Sequence, residues 1–296
     1  MGFPMAGHMA KKMSGRCIVW NRTFDKAKQH ETEFGSIAAT NGFSDFAAAT
    51  AVVLCLPTSA EDASVAQAIA PHLARDSCIV SCTSGEPNET KKLAASLYET
   101  FGVHLLDCPV SGGPAGAKAG TLTCMLGAND DVAAEKCIDV VKSFAGKVVR
   151  TGPVGSGHAI KAINNVLNVT HLMLAAEGLL ALKQLGVSPE VALSVINNSS
   201  GRSLQTQERL PKEVLSRNFN YGFRLPLMAK DVRIAEGVLK TGFPQAQILP
   251  TAAKLVQEAA EKFPEDADYT RAVCLLESWS GSELIADEPE AKRQKH

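Results

Sequence analysis

The sequence has no excess of charge of either sign and no long uninterrupted apolar run. Its 30 basic and 31 acidic side chains leave a formal net charge of −1 over 296 residues. Attraction to nucleic acid or to an anionic membrane is therefore not expected. No apolar run reaches the roughly 18 residues that a transmembrane helix needs, and the first residues lack the apolar core of a signal peptide. We expect neither nucleic acid nor a membrane as a partner.

The sequence also lacks a metal-site pattern, although it contains eight cysteines. Most of the cysteines lie inside apolar segments. Cys78 and Cys82 are four apart in a predicted strand, and no His/Cys quartet with zinc spacing accompanies them. Buried free thiols in a reducing compartment explain these cysteines. We therefore predict no metal, and a location in the cytoplasm or the mitochondrial matrix.

Short apolar segments alternate with amphipathic segments over the first half of the chain. The predicted strands are 16–20, 51–56, 78–82, 103–108, 121–126 and 147–150. The predicted helices are 23–34, 61–73, 88–100 and 131–145. This alternation predicts βαβ units and an α/β domain with a mostly parallel sheet.

After Gly157 the strand-like segments disappear and apolar residues recur at helical spacing. Residues 158–186 contain no proline and few glycines, which predicts one helix about 40 Å long. Gly186 should end it, and Ser188-Pro189 should start the next helix. The predicted domains are 1–153 (α/β), 154–282 (all-helical) and 283–296 (a polar tail). The long helix is apolar on more than one face, which favours a homodimer or homotetramer.

Residues 107–123 form a glycine-rich segment that follows a predicted strand. Ser111 precedes glycines at positions 112, 113, 116 and 120. Glycine allows positive φ and lets backbone N–H groups approach a small anion. The segment is therefore either an anion-binding loop or a glycine-rich surface turn.

Residues 155–165 begin with two glycines and continue into the long predicted helix. Lys161 and Asn165 are four apart and therefore share a helix face. A lysine can act as the acid or base in alcohol oxidation, and its ammonium can stabilise an oxyanion. Because its ordinary pKa is about 10.4, a basic role requires burial or a cationic neighbour. The alternative is a solvated helix lysine.

These two segments resemble the β-hydroxyacid dehydrogenases, the family of 3-hydroxyisobutyrate dehydrogenase, tartronate semialdehyde reductase and glyoxylate/succinic semialdehyde reductase. The resemblance covers nearly the whole chain. It implies a Rossmann-like NADP-binding domain, followed by an all-helical domain for substrate binding and dimerisation. It also implies hydride transfer between NADP(H), or alternatively NAD(H), and a small 3- or 4-carbon hydroxy acid or semialdehyde.

The resemblance assigns roles to residues of both segments. Lys161 matches the family's catalytic acid/base, and Asn165 matches the residue that orients the substrate. Ser111, Gly112 and Gly113 match the loop that holds the substrate carboxylate. The segment 198–203 also matches the family, either as a turn near the active site or as a plain connection between helices.

Asn21, Arg22 and Thr23 follow the predicted strand 16–20, where a dinucleotide fold meets the adenosine ribose. An acidic residue there binds the 2′-OH of NAD, whereas an arginine accommodates the 2′-phosphate of NADP. No carboxylate occurs before Asp25. A bidentate guanidinium contact with phosphate therefore favours NADP. The alternative is a surface arginine in a strand–helix turn.

Further cofactor contacts are implied at the carboxyl ends of two predicted strands, where open α/β sheets bind ligands. Leu56 and Pro57 end one strand, and Thr83 ends the next. The resemblance places these residues along the nicotinamide half of the cofactor. Structural turn residues have the same appearance in the sequence.

Two more residues match the family near the two ends of the part of the chain that resembles it. Lys230 matches a lysine that reaches the cofactor and substrate, although its neighbour Asp231 is also spaced to pair with Arg233. Gly2 matches the third glycine of the dinucleotide fingerprint, which allows close packing of helix on strand. The family's first strand and first two fingerprint glycines have no counterpart in this sequence, which implies that they are missing.

Two other functions remain open from the sequence. A non-catalytic binding or scaffold relative, which lost nucleotide binding through the missing strand, is the first alternative. A relative of 6-phosphogluconate dehydrogenase is the second, because it shares the fold and a lysine base. It would need more basic residues around the loop than the sequence contains.

Overall fold

The computed structural model describes residues 1–13 and 16–286, and the chain divides into two compact units, Met1–Lys161 and Ala162–His296. This division lies within a long helix, whereas the domain boundary predicted from the sequence lies at 153/154. The predicted tail, 283–296, lies mostly outside the described residues.

The first unit alternates helices and strands as predicted. Its main elements in chain order are α1 (Gly2–Met13), β1 (Ile18–Val19), α2 (Phe24–Phe34), β2 (Ile37–Ala38), β3 (Ala51–Leu54), α3 (Ser59–Ile69), β4 (Cys78–Ser81), α4 (Pro87–Phe101), β5 (His104–Asp107), β6 (Val110–Ser111), α5 (Gly113–Ala119), β7 (Leu122–Gly127), α6 (Asp131–Val141) and β8 (Ala145–Gly152). Short 3₁₀ turns lie at Gly42–Phe46 and Ala70–His72. The predicted α/β class is confirmed.

The strands form two separate sheets. β1 and β2 pair in parallel by themselves. The second sheet has the order β3-β4-β5-β7-β6, with β8 also paired to β7. The pairs β3–β4, β4–β5 and β7–β8 are parallel, whereas β7 pairs with β5 and β6 antiparallel. The large sheet is therefore mixed: β3-α3-β4, β4-α4-β5 and β7-α6-β8 are βαβ units, and antiparallel pairs separate the last unit from the first two.

Alternating residues of the large sheet pack into two different cores. Val80 belongs to a core that includes Met5 of α1, and Ile79 belongs to the opposite core. All four residues of β4 are buried. A strand covered on both faces shows a continuous apolar run rather than alternation, which is why 78–82 was recognisable in the sequence.

Several first-unit predictions differ from the structure. α6 ends at Val141 rather than at residue 145, which already belongs to β8. Residues 113–119 form helix α5 rather than only a loop, because Pro114 suits its first turn and Gly120 ends it with φ 69°. α3 ends at Ile69, where Pro71 lies in a 3₁₀ turn. β2 and β6 were not predicted, because two-residue strands carry no periodic signal.

The second unit is helical over its described residues, 162–286, apart from one isolated β-bridge. Its elements are most of α7 (Ser156–Gln184), α8 (Pro189–Asn197), a π-helix (Gln205–Leu215), α9 (Leu225–Gly242), α10 (Ile248–Lys262), a 3₁₀ turn (Tyr269–Ala272) and α11 (Val273–Ser280). The long helix, the positive φ of Gly186 after it and the Ser188 cap of α8 confirm the predictions.

α7 is long and apolar enough to cross a membrane by length and composition. The sequence analysis considered only uninterrupted apolar runs, and polar residues such as Asn164 and His171 interrupt this helix. Half of the most apolar window of α7 is buried inside the structure. Residues such as Val169, Leu172 and Ala176 pack into the core of the second unit. A helix buried in a protein core can meet the same criteria of length and composition as a membrane-spanning helix.

Candidate active site

Asp107, the last residue of β5, caps the beginning of α7. Its carboxylate accepts hydrogen bonds from the backbone N–H of Gly155 at 2.7 Å and of His158 at 2.8 Å. Asp107 is fully buried. A negative charge bonded to the first N–H groups of a helix stabilises that helix end. Sequence reasoning missed this role, because the two partners lie about 50 positions away along the chain.

Two glycines make room for this cap. A Cβ on Gly157 would lie 2.2 Å from the carbonyl oxygen of Met125 and 2.9 Å from the Asp107 carboxylate. A Cβ on Gly127 would lie 2.3 Å from the other Asp107 oxygen. Close packing, rather than a positive φ, therefore requires glycine at both positions. The glycines at the start of α7 therefore allow the end of β5 to lie directly against the first turn of that helix.

Lys161 and Asn165 occupy successive turns of α7. Lys161 is half-buried, whereas Asn165 is 3% exposed. The Asn165 Nδ2 donates to Asp231 Oδ2 at 2.6 Å. The exposed neighbour Asn164 donates to Asn165 Oδ1 at 3.3 Å. The predicted substrate-orienting amide is thus fixed from both sides.

Asp231 on α9 is a functional candidate that sequence reasoning missed. It is 2% exposed, and Lys230 Nζ lies 3.1 Å from its Oδ1. Arg233 instead donates to Gln257 at 2.6 Å, so the predicted alternative of an Asp231–Arg233 pair is wrong. The carboxylate therefore connects two predicted site residues of the second unit, Asn165 and Lys230. The Lys230-Asp231 pair is visible in the sequence, but the contact with Asn165, 66 positions earlier, is not.

The predicted substrate loop begins on an edge strand. Ser111 ends β6, where it is half-buried and pairs with Thr123 of β7. Gly112 and Gly113 follow with φ values of 133° and 63°. These angles favour glycine, as the loop interpretation requires. Helix α5 then begins at Gly113.

Thr83 joins the ends of two parallel strands. Its buried hydroxyl accepts from the backbone N–H of Leu56 at 3.0 Å and donates to Asp62 Oδ1 at 2.8 Å. Burial raises the pKa of Asp62, although the hydrogen bond from Thr83 opposes that shift. The structure brings two predicted cofactor residues, Leu56 and Thr83, into contact, and Pro57 follows directly with an exposed surface.

Asn21, Arg22 and Thr23 form the exposed turn between β1 and α2. The Asn21 side-chain oxygen accepts from the Thr23 backbone N–H at 2.9 Å. This Asx turn shapes the connection. Asn21 therefore has a local structural role, and the exposed guanidinium of Arg22 is presented to solvent beside it.

Gly2 packs at the end of β3. A Cβ there would lie 3.2 Å from the Cβ of Cys55, so the first turn of α1 lies directly against the strand end. This is the contact expected of the third fingerprint glycine. The assignment of Gly2 to the cofactor site stays a prediction.

Both units match models of known families. Residues 1–152 match the NAD binding domain of 6-phosphogluconate dehydrogenase, and residues 155–276 match the model described as NAD-binding of NADP-dependent 3-hydroxyisobutyrate dehydrogenase. Mitochondrial 3-hydroxyisobutyrate dehydrogenase of Homo sapiens is 30% identical over 247 residues, covering 80% of this chain and 72% of that protein. The chain belongs to the 3-hydroxyisobutyrate dehydrogenase family.

Two further members of this family show similarity of different kinds. The 2-(hydroxymethyl)glutarate dehydrogenase of Eubacterium barkeri is 37% identical over 164 residues, 55% of this chain and 54% of that protein. The structure of Mycobacterium tuberculosis 3-hydroxyisobutyrate dehydrogenase with L-serine has a TM-score of 0.83 at 23% identity, covering 93% of this chain and 95% of that one. That structure shows the same fold.

Membership of the 3-hydroxyisobutyrate dehydrogenase family confirms the resemblance drawn from the sequence. The chain is an NAD(P)-dependent oxidoreductase of the β-hydroxyacid dehydrogenase class, rather than the non-catalytic scaffold kept as an alternative. The comparison does not show that the family's first strand is missing, because the match to the NAD binding domain of 6-phosphogluconate dehydrogenase begins at residue 1.

Proposed function

We propose that the chain interconverts a small 3- or 4-carbon β-hydroxy acid and its semialdehyde with NADP as the preferred cofactor. The observation that carries this proposal is the contact of Asn165 with the buried Asp231 carboxylate, one helical turn after Lys161. A non-catalytic scaffold would not need the buried Asp231 carboxylate to orient the Asn165 amide on the helix face that also carries Lys161.

The residues present suit a dinucleotide. The packing of Gly2 on Cys55 is the close helix–strand contact that the fingerprint requires, and the exposed Arg22 offers a guanidinium to a 2′-phosphate. The other residues proposed to hold the cofactor are Asn21, Thr23, Leu56, Pro57, Thr83 and Lys230. When bound, the nicotinamide accepts or supplies the hydride.

Lys161 is proposed to move the proton at the reacting oxygen. In the oxidative direction its neutral amine takes the hydroxyl proton, and in the reductive direction its ammonium returns that proton and stabilises the developing oxyanion. Asn165 gives one amide hydrogen to Asp231. Its second amide hydrogen then remains for the substrate oxygen, in an orientation that Asp231 fixes.

The substrate carboxylate is assigned to Ser111, Gly112 and Gly113. Gly112 and Gly113 both have positive φ, so the backbone turns sharply directly after Ser111. Successive N–H groups of such a turn form an anion-binding concavity. The carboxylate and the reacting oxygen are then held by different groups, as orientation for hydride transfer requires.

The direct test is a steady-state survey of the full chain. We expect turnover of 3-hydroxyisobutyrate, L-serine or a short semialdehyde, with kcat/KM for NADP about 10- to 100-fold above that for NAD, the effect of one charged hydrogen bond. No turnover on any hydroxy acid or semialdehyde with either cofactor would overturn the proposal. Higher kcat/KM with NAD would remove only the cofactor preference.

We also propose a homodimer or homotetramer. Leu174 of α7 and Ile248 of α10 are 56% and 72% exposed, and both line one groove of about 340 Å³ in the second unit. Large exposed apolar side chains grouped in a groove are typical of an interface. Light scattering at several concentrations measures the assembly directly, and a monomer at micromolar concentration would contradict it.

A further inference from the structure

Beyond Asn164 and Asn165, the same region of α7 carries a further amide that sequence reasoning did not single out. Asn168 is three residues after Asn165 and seven after Lys161, spacings that keep it on the same helix face. Its Oδ1 accepts a hydrogen bond from Nε2 of Gln205. Gln205 is the first residue of the π-helix. The polar face of α7 therefore continues through Asn168 to Gln205.

The Gln205 side chain leaves a buried acceptor unused. Gln205 is 2% exposed, and its Oε1 has no hydrogen-bond partner among the described residues. A buried amide oxygen without a partner has lost its hydrogen bonds to water and gained none in exchange, which destabilises the folded state. Folded proteins satisfy nearly all such atoms, so an exception next to a functional helix points to a ligand.

The turn before Gln205 holds it firmly in place. Ser203 and Thr206 bond each other reciprocally, with Ser203 N to Thr206 Oγ1 at 2.8 Å and Thr206 N to Ser203 Oγ at 3.2 Å. Asn197 Nδ2 also donates to the Thr206 carbonyl at 3.1 Å. The adjacent π-helix is a rare geometry that occurs frequently at functional sites. These hydrogen bonds hold the backbone on both sides of Gln205, and the bond to Asn168 holds its side chain.

A second unused acceptor belongs to Asn197, the last residue of α8, whose Nδ2 donates to the Thr206 carbonyl. The Oδ1 of Asn197 is buried and has no hydrogen-bond partner among the described residues. Both unused atoms, on Asn197 and Gln205, are amide oxygens. Such atoms accept hydrogen bonds, so the group that suits them is a donor, an ammonium or a hydroxyl, rather than a carboxylate.

We propose that Gln205, positioned by Asn168, is a specificity residue that accepts a hydrogen bond from a donor group on the substrate carbon between the carboxylate and the hydroxyl-bearing carbon. This inference rests on the proposed function, in which Ser111 and Lys161 hold the other two groups. Asn168 lies about 4.5 Å beyond Asn165 along the helix axis, within the length of a small hydroxy acid. The favoured substrates are β-hydroxy acids with an amino or hydroxyl group at that carbon.

The test compares L-serine with 3-hydroxyisobutyrate, which carry an ammonium and a methyl group at that carbon. Gln205→Met keeps the length of the side chain and removes the acceptor. We expect kcat/KM for L-serine to fall about 10- to 100-fold, the effect of a hydrogen bond to a charged group, while kcat/KM for 3-hydroxyisobutyrate stays within about twofold. Gln207→Met, at an exposed position of the same helix, is the matched control and should change neither.

A second variant and a binding measurement separate this inference from the proposed function. Gln205→Glu keeps an acceptor and should retain L-serine turnover. Thermal-shift titration measures L-serine binding without turnover, and Gln205→Met should abolish a shift that the unmodified chain shows. Equal effects of Gln205→Met on both substrates, or no effect on either, would overturn the role of Gln205. Absence of turnover in the unmodified chain would instead overturn the proposed function, and the thermal shift would still test Gln205.

Discussion

The side-chain amide of Asn165 donates to the carboxylate of Asp231 across 2.6 Å and thereby joins α7 to α9 inside the second unit. The same carboxylate lies 3.1 Å from the ammonium of Lys230. One buried anion thus orients an amide and balances a cation. Each side chain alone would be an ordinary polar residue on a helix.

Asp231→Asn keeps the size of the side chain but should weaken its contacts with Asn165 and Lys230. We expect kcat to fall about 10- to 100-fold, because a neutral amide holds Asn165 less firmly and removes the negative charge 3.1 Å from the Lys230 ammonium. Asp266→Asn, at an exposed position, is the control. Steady-state kinetics measure the effect, and an unchanged kcat in a folded Asp231→Asn protein would show that the carboxylate only stabilises the fold.

Lys161→Ala should abolish measurable turnover while leaving cofactor affinity nearly unchanged. Loss of a general acid/base costs about 10²–10⁴-fold, and the residue acts on the substrate oxygen rather than on the dinucleotide. Lys161→Arg should not restore activity, because a guanidinium stays protonated. Lys147→Ala, on the exposed side of β8, is the control. Near-normal kcat in Lys161→Ala would move the acid/base role to Lys230.

Arg22→Ala should weaken NADP binding by about 1.5–3 kcal/mol, the effect of a charge-assisted hydrogen bond, and leave NAD binding nearly unchanged. Lys26→Ala, exposed in the first turn of α2, controls for a general loss of positive charge. Calorimetric titration with both cofactors gives the comparison. Equal losses for NADP and NAD would show that Arg22 does not recognise the 2′-phosphate.

Asp107→Asn should lower the free energy of unfolding by about 1–3 kcal/mol, because one of the two N–H groups that it caps would face an amide NH₂ instead of an oxygen. Asp130 provides a matched control, since it caps α6 from an exposed position by accepting from the Ala133 N–H. Asn and Asp are nearly equivalent at an exposed N-cap. Chemical denaturation of both variants should therefore separate them, and equal losses would contradict a special role for the buried cap.

His30 should make stability depend on pH. Burial lowers its pKa below the ordinary 6.5, although the carbonyl of Phe3 and the charge of Glu33 oppose that shift. The unfolded chain then binds more protons than the folded chain, so the free energy of unfolding falls as the pH drops below about 6.5. Denaturation between pH 5 and pH 8 should show this slope, and His30→Gln should reduce it. His72→Gln, at an exposed position, should leave the slope intact.

The sequence predicted most of the elements that carry the site, because their signals are local. The alternation of apolar segments gave the α/β unit, and the spacing of Lys161 and Asn165 placed them on one helix face, as the structure has them. The Asp107 cap and the Asn165–Asp231 contact were not predictable in this way. Their partners are separated by 48 to 66 positions, and nothing in the local pattern of either partner reports the other.

α5 shows a different reason for error. Its glycines and proline are typical of a loop, yet Gly112 and Gly120 lie just outside the helix and Pro114 in its first turn. Residues that interrupt a helix in its interior are compatible with one at its ends. Composition over a window cannot distinguish the two cases when the helix has only seven residues.

The beginning of α7 is fixed at Asp107, and Asn165 is fixed farther along the same helix by Asp231. Each residue of an α-helix rotates the chain by about 100°, so one inserted or deleted residue between 158 and 165 would turn Asn165 away from its partner while the cap stayed intact. Apart from Lys161 and Asn165, this segment should therefore accept substitutions but no change of length. Comparable insertions in the exposed turn at 201–202 should be tolerated, so the number of residues between 158 and 165 is as strict a requirement as the identity of those two side chains.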